Sequence, residues 1–266
     1  IFIEWELQQK KLISASKMNE LGFLFEPSYP LQWKLVCQGV NNLVNYDRVI
    51  VLQIFEAGHS KVIAEHSKNK KKMYGDEILS PSFMPRSVYS YYQSIPYRYI
   101  PNVHAMQQEF VHIAGVELDL LTCQLNNLPE IHDIYLKSIN VSAAIFFPLF
   151  MDGVFWGMVI AQNEQEKYVD LQTRKLCSFI IQNAMNKYES LFKQGLLDSN
   201  KQLRETEAFM RNCLDTQKSV NCAITENLEL LRHMTDSDGA AVFYHGDVFF
   251  DGIVPSKAQF YQIVAF

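Results

Sequence analysis

One long stretch of this sequence constrains the fold more than any other, because nothing in it forces the chain to turn. Residues 170–235 contain no proline and a single glycine, Gly195. Apolar residues recur there at intervals close to the helical repeat. The pattern predicts a very long helix, broken either near Gly195 or around Asp215. A helix much longer than about 25 residues cannot bury a whole face on a small domain, so we expect a partner helix.

The apolar stripe of this helix is a candidate homodimer seam. It consists of Leu176, Ile180, Ala184, Tyr188 and Leu191. The alternative is that these side chains pack against the domain that precedes them, and the sequence leaves both open. Helix seams of this kind can have two packings of similar energy, which a signalling switch requires.

The segments around this helix predict an α+β fold. Alternating or continuous apolar runs predict strands at 1–7, 48–55, 61–65, 97–100, 143–151, 154–161, 240–244 and 248–251. Helical spacing predicts helices at 30–44, 85–95, 130–139 and 256–266, and a long loop is expected over 102–128. The Asp152-Gly153 pair is the strongest hairpin signal. We expect an antiparallel sheet with helices on its faces, then the long helix, then a second, truncated α+β domain.

The overall composition is that of an ordinary globular protein. Of the 266 residues, 48% are hydrophobic and 20% are charged, and the net charge is −5. No basic field is therefore expected to recruit nucleic acid. The longest uncharged apolar stretch, 141–151, is too short to span a bilayer, and we expect no secretory leader. Because the chain starts on Ile1 rather than Met, we expect it to be a piece of a longer protein.

The sequence also lacks the usual signatures of catalysis. Its five cysteines are scattered without a C-x-x-C pair, so we expect neither a zinc nor a redox site, and a cytoplasmic location. Glycine-rich nucleotide loops, metalloprotease motifs and serine-hydrolase motifs are absent from the sequence. We expect a chain that is not an enzyme and binds no metal. Any kinase or other output domain would lie outside it.

A more specific pattern begins in the strand after the first helix. Tyr46-Asp-Arg-Val-Ile-Val-Leu-Gln-Ile-Phe55 and Val62-Ile-Ala-Glu65 resemble the GAF domain of phytochromes. The family's order continues with a helix after Pro85 and then with Arg98-Tyr-Ile-Pro-Asn-Val103, Leu118-Asp-Leu120, Ile131-His-x-x-Tyr-Leu-Lys137 and Asp152-Gly-x-x-Trp-Gly157. The resemblance implies the end of a PAS-like domain with a linker over 1–20 and a GAF domain over 21–168. It further implies a connecting helix or helices over 169–235 and the start of a PHY-like domain over 236–266.

The resemblance also implies a pocket for a linear tetrapyrrole, or bilin, which this chain matches only in part. The matching positions are Arg98 for an arginine that binds a propionate, His132 for the histidine near the pyrrole water, Tyr135 three residues on, and Pro85 for the proline of an Asp-Ile-Pro turn. The departures are Phe83 for the aspartate of that turn, Asn126 for a second propionate arginine, Gln162 for a later histidine, and Leu52 and Leu79 for pocket tyrosines. Ile131 stands where plant-like and cyanobacterial members carry the cysteine that attaches the bilin.

These departures make the implied pocket more apolar and less able to hold a charged ligand. Phe83 removes a carboxylate acceptor, and the loss of one arginine removes a charge-assisted contact worth roughly 1.5–3 kcal/mol. We therefore expect a phytochrome-like signal-relay module that has lost or weakened bilin binding and signals through a dimeric helix to an output domain. The alternatives are a functional red/far-red photoreceptor that binds biliverdin or another bilin, and a ligand-free dimerisation scaffold.

Overall fold

The described part of the chain folds into two compact α+β units. The computed structural model describes residues 22, 30–55, 58–68, 78–82, 84–105, 130–217 and 220–264. The first unit ends at Glu189 and the second begins at Ser190, a border inside the segment 169–235 for which a connecting helix was predicted. Because the described residues form both helices and antiparallel strands, the predicted α+β class is confirmed. The predicted strand at 1–7 and most of the predicted loop at 102–128 lie outside the described residues.

A six-stranded antiparallel sheet forms the centre of the first unit. Its strands are β1 (Arg48–Ile54), β2 (Ser60–Ser67), β3 (Ile78–Leu79), β4 (Arg98–Ile100), β5 (Ala143–Met151) and β6 (Val154–Asn163). They lie in the order β3-β2-β1-β6-β5-β4. Only the two-residue β3 has no counterpart in the sequence prediction, because a strand this short carries no periodic signal.

Two positions in this sheet depend on residues with unusual backbone freedom or no side chain, namely the β5–β6 turn and Gly157. Asp152 and Gly153 both have positive φ, 49° and 77°, which is the backbone of the tight hairpin turn that their sequence predicts. Gly157 of β6 lies so close to β1 that a Cβ atom there would be 2.1 Å from the carbonyl oxygen of Leu52. The close pairing of these two strands therefore requires glycine at this position.

Helices cover both faces of the sheet. They are α1 (Trp33–Val44), α2 (Ser90–Gln93), which follows a 3-10 turn at Arg86–Val88, α3 (Glu130–Ser138) and the start of α4 (Leu171–Gln217). The prediction of one helix over 85–95 was too long, because the chain there makes a 3-10 turn and then only one turn of α-helix. Burial on both faces explains why β5 and β6 read as nearly continuous apolar runs.

The two faces have separate cores. We call the first the helix face; α1 and α4 pack there on Val49, Val51, Ile145, Phe147 and Val159. We call the second the site face; it contains Ile50, Leu52, Met84, Tyr92, Phe146 and Met158, with Leu136 of α3. Side chains alternate between the two faces along each strand, as the pleat requires.

The second unit contains the rest of α4 and a small hairpin. Its elements are α5 (Val220–Thr225), α6 (Leu228–Met234), β7 (Gly239–Tyr244), β8 (Asp247–Gly252) and α7 (Lys257–Val264). An ion pair between Arg232 Nε and Asp251 Oδ2, 2.5 Å apart, joins α6 to β8. Helix α4 runs through Gly195 without a break as far as Gln217, so the predicted break near Gly195 is wrong. The next two residues lie outside the described part of the chain.

Among the helices that the structure describes, none is both long and apolar enough to cross a bilayer.

Candidate functional site

The structure places most of the predicted pocket residues on the site face. Leu52 lies in β1, Arg98 in β4, His132 and Tyr135 in α3, and Gln162 in β6, while Leu79 lies in β3 and Pro85 precedes the 3-10 turn. Phe83 and Asn126 are outside the described residues. Positions far apart in the sequence therefore meet on one surface of the sheet.

Arg98 is a fully buried cation on this face. It stands opposite Phe146 in the β4–β5 register, which directs it to the site face. Its Nη2 donates a hydrogen bond to the carbonyl oxygen of Tyr91, 2.5 Å away. Its guanidinium carbon is 5.9 Å from the centre of the Tyr91 ring and 6.0 Å from that of Tyr92. Burial of a guanidinium requires such partners, because an uncompensated charge in the interior is very costly.

His132 is tied to a tyrosine that the sequence reasoning did not single out. The Tyr92 hydroxyl and His132 Nδ1 share a hydrogen bond of 2.8 Å, with the donor set by the imidazole tautomer. The His132 ring also stacks on Phe146, with an interplanar angle of 8°. Burial raises the pKa of Tyr92 well above its ordinary value, and the positive charge of Arg98 offsets part of that rise. Tyr92 therefore keeps its proton and can donate a hydrogen bond to the imidazole.

A sequence signal for Tyr92 existed in the tyrosine-rich segment that precedes Arg98. That segment contains Tyr89, Tyr91 and Tyr92, but a helical turn buries only one of its sides. Of the three tyrosines, Tyr92 is the one that is fully buried, while Tyr89 and Tyr91 pack on the same core from partly buried positions. The local pattern could not indicate that the Tyr92 hydroxyl bonds to His132, which lies 40 residues further along the chain.

The remaining predicted residues give the site an apolar lining. Leu52 is fully buried, and Leu79 and Tyr135 pack on the same core from partly buried positions. Pro85 is half-buried, and its carbonyl oxygen accepts the N–H of Val88, which starts the 3-10 turn. These positions therefore contribute shape and hydrophobic surface rather than charge.

Gln162 differs from the other polar residues predicted for the site, because its side chain has no hydrogen-bond partner among the residues that the structure describes. It pairs in register with Ala144, which places it on the site face, and it is 2% exposed. Both its amide nitrogen and its amide oxygen are buried and unpaired there. Beside it lies a cavity of about 40 Å³, which Arg48, Ser67 and Val141 also line. A cavity of this size can hold water but is far smaller than the several hundred Å³ of a typical ligand pocket.

The predicted homodimer seam is corrected by the packing of α4. Ile180 and Ala184 are buried in the core of the helix face, and Leu176 and Tyr188 pack against it from partly buried positions. Ile180 and Ala184 are thus covered by their own unit, whereas Leu176 and Tyr188 keep part of their surface accessible. Leu191 alone in the predicted set is widely exposed, at 49%. The stripe predicted as a seam is therefore mostly an intramolecular contact, as the alternative interpretation had it.

The comparisons with known proteins agree with this architecture. No family model matches the chain. The phytochrome-like protein Cph1 of Synechocystis is 23% identical over 229 residues, which covers 85% of this chain and 31% of that protein. Cyanobacterial and plant phytochromes are among the other curated relatives. The chain thus spans about a third or less of the length of these relatives.

Solved structures show the same fold. The crystal structure of bacteriophytochrome RpBphP3 from R. palustris matches 98% of this chain and 54% of its own, with a TM-score of 0.76 and 17% identity. The photosensory core module of the Stigmatella aurantiaca phytochrome matches 94% of this chain and 50% of its own, with a TM-score of 0.68 and 23% identity. The chain is thus similar to phytochromes in sequence, and it has the fold of these phytochrome structures.

Proposed function

We propose that this chain is a sensory relay module of the phytochrome type in which bilin binding is lost or weakened. On this proposal residues 21–168 form a GAF domain, 169–235 connect it to a PHY-like domain that starts at 236, and 1–20 end a PAS-like domain. The role is sensory rather than catalytic, and any kinase or other output would be supplied by parts of the protein outside this chain.

The observation that carries the proposal is the closed packing of the site face around His132. The imidazole is hydrogen-bonded to Tyr92 and stacked on Phe146, and the Arg98 guanidinium is bonded to the Tyr91 carbonyl. The two side chains that match bilin-binding positions of the family, Arg98 and His132, are thus already engaged by this chain's own groups. A bilin that used them would have to break these hydrogen bonds, and its affinity would be reduced by the free energy of breaking them.

The residues of the site face also fit a charged tetrapyrrole poorly. A photochemically competent bilin is cationic and carries two carboxylates, but Leu52 and Leu79 offer it no hydrogen bond. The cavity beside Gln162 has room for water only. No step of the proposed relay therefore passes through a bound bilin.

Signal transfer would run along α4. The helix starts on the helix face and extends over 47 residues. Beyond Glu189 it exposes Leu191, Leu196 and Leu203, each close to half accessible. We propose that this exposed part, which includes Leu191 as its one residue from the predicted stripe, forms a homodimer contact.

The main alternative, a functional bilin photoreceptor, is favoured by Gln162. An amide with two buried, unpaired polar atoms is costly, and a ligand that offers a carbonyl and an N–H would satisfy it. A ligand-free dimerisation scaffold is the third candidate, and it is favoured by the closed packing around His132.

A bilin titration tests the proposal. We expect the purified chain, mixed with biliverdin and separately with phycocyanobilin, to give a spectrum no different from that of the free pigment before and after red illumination. A sharp red band that photoconverts would overturn the proposal and favour the photoreceptor.

A matched variant shows whether the sequence departures are responsible. Phe83→Asp together with Asn126→Arg replaces the two departures that remove charge, and we expect this variant to gain red absorbance relative to the unmodified chain. Leu79→Ala serves as the control, because it enlarges the lining without adding a polar group. A gain in the control equal to that in the charged variant would show that space, not charge, limits binding.

A further inference from the structure

Arg174, on the first turn of α4, is a second fully buried arginine of the first unit. Its guanidinium carbon is 4.3 Å from the centre of the Tyr99 ring and 5.5 Å from that of Tyr97. Its Nη1 donates to the carbonyl oxygen of Val169, 2.6 Å away. A planar guanidinium suits such a site because it stacks on aromatic rings while its edge donates hydrogen bonds.

Tyr99 binds the residues that lead into α4 as well as the helix itself. Its hydroxyl accepts the N–H of Val169 at 2.7 Å and donates to the carbonyl oxygen of Lys167 at 3.2 Å. The ring of the same residue lies against Arg174. One residue of β4 therefore holds both the first turn of α4 and the segment before it.

Strand β4 and Tyr97, the residue before it, direct the two tyrosines and Arg98 to opposite faces of the sheet. Tyr97 and Tyr99 belong to the core of the helix face, whereas Arg98 stands opposite Phe146 of the site face. Successive side chains of a strand point to opposite faces, so a shift of β4 moves all three together. The strand has three residues and lies at the end of the sheet order next to β5, so few backbone hydrogen bonds fix its position.

We propose that Arg174 is a positioning residue that couples the buried arginine of the site face to α4 through β4. The contacts of Arg174 with the two tyrosines set the position of β4, and β4 sets the position of Arg98. A change around Arg98 would then alter the packing of the first turn of α4. The inference rests on the proposed function in one respect, namely that α4 carries the signal away from the site.

Hydrogen–deuterium exchange of the chain without added bilin tests this coupling. In Arg174→Met we expect amide exchange to quicken in residues 171–177 and also in residues 90–100, which surround Arg98. Because equilibrium coupling is reciprocal, Arg98→Met must quicken exchange in residues 171–177. We expect changes of about fivefold or more, the lower end of typical coupling between sites.

Three further variants make the test specific. Arg174→Lys keeps the charge but loses the planar fork, so we expect a smaller effect of the same kind. Tyr99→Phe keeps the ring and removes the bonds to Lys167 and Val169, so it tests the same connection if Arg174→Met does not fold. Arg211→Met removes an exposed arginine from the same helix, where it is paired with Glu207, and we expect no change in either region.

The outcomes are distinct. Quickened exchange in both regions for the Arg174 variants, with the reciprocal effect in Arg98→Met, supports the coupling. An effect of Arg174 variants confined to 171–177, with Arg98→Met leaving that region unchanged, overturns it and leaves Arg174 a local packing residue. Since the exchange experiment uses no bilin, a photoconverting red band in the titration would contradict the proposed function without altering this result.

Discussion

The hydrogen bond between Tyr92 and His132 offers the sharpest test of the closed site. Tyr92→Phe removes only the hydroxyl and keeps the ring, which lies 5.9 Å from the His132 ring and 6.0 Å from that of Phe146. The variant therefore leaves the apolar packing in place. It leaves His132 Nδ1, in a side chain that is 1% exposed, without its 2.8 Å partner.

The expected loss of stability follows from this burial. A typical hydrogen bond contributes about 1 kcal/mol net, but a buried polar group that loses its partner costs about 1–3 kcal/mol. We expect Tyr92→Phe to lower the free energy of unfolding of the first unit by about 2 kcal/mol. With an m-value of roughly 2–3 kcal/mol/M, the urea midpoint would fall by about 0.7–1 M.

Urea unfolding followed by tryptophan fluorescence is a suitable assay. Trp33 and Trp156 both lie in the first unit, where their rings stack 5.6 Å apart. Tyr46→Phe is the matched control, because Tyr46 is equally buried but makes a longer bond of 3.3 Å to the carbonyl oxygen of Lys167. We expect the control to cost less than Tyr92→Phe.

A double-mutant cycle with His132→Leu isolates the pair itself. We expect Tyr92→Phe to cost little once the imidazole is gone, so that the coupling energy is about 1 kcal/mol or more. Equal losses for Tyr92→Phe in both backgrounds would refute the reasoning, because the two side chains would then not interact. The site face would have to be more open than the contacts around His132 indicate.

Three further predictions concern stability. Burial raises the pKa of both Cys37 and Cys177, so at high pH the folded chain keeps two protons that the unfolded chain loses. The free energy of unfolding is therefore unaffected by these thiols below their ordinary pKa. It falls as pH rises above about 9, by about 1.4 kcal/mol per pH unit for each thiol. Replacing both by alanine should flatten this dependence in urea titrations between about pH 9 and pH 10.5, and an unchanged slope would contradict it. Gly157→Ala should destabilise the first unit by about 3 kcal/mol or more, since the new methyl would overlap a backbone carbonyl of β1, and a loss below about 1 kcal/mol by the same assay would count against that contact. Asp170→Ala should lower the free energy of unfolding by about 1 kcal/mol, because the Asp170 carboxylate caps α4 by accepting the N–H of Thr173 at 3.0 Å. Thermal melting measures this loss, and an unchanged melting temperature would show that the cap does not stabilise the helix.

Local chemistry made much of the first unit predictable. The Asp152-Gly153 turn depends only on two residues that tolerate positive φ, so its sequence specifies it directly. The absence of proline in 170–217 likewise allows the helix to continue through Gly195. Strands β5 and β6 were predicted within two residues of their ends, because long apolar runs beside a turn carry a strong signal.

The resemblance to the phytochrome GAF domain named several residues of the site without giving their contacts. It pointed to Arg98 and His132, and the structure places both on the site face. It did not point to Tyr92, because the partner of a buried hydroxyl depends on which segments the sheet brings together.

By itself, then, the sequence determined the elements whose signals are local: the hairpin turn, the long helix, and the strands with their alternating faces. Only the tertiary structure decided which neighbours those elements acquired. The stripe at Ile180 and Ala184 is equally suited to a partner chain or to its own sheet, and the proximity of β5 and β6 settles it in favour of the sheet. The structure also decides that the Gln162 amide is unpaired among the described residues, because hydrogen bonding in a core depends on the distances between segments that are remote in sequence.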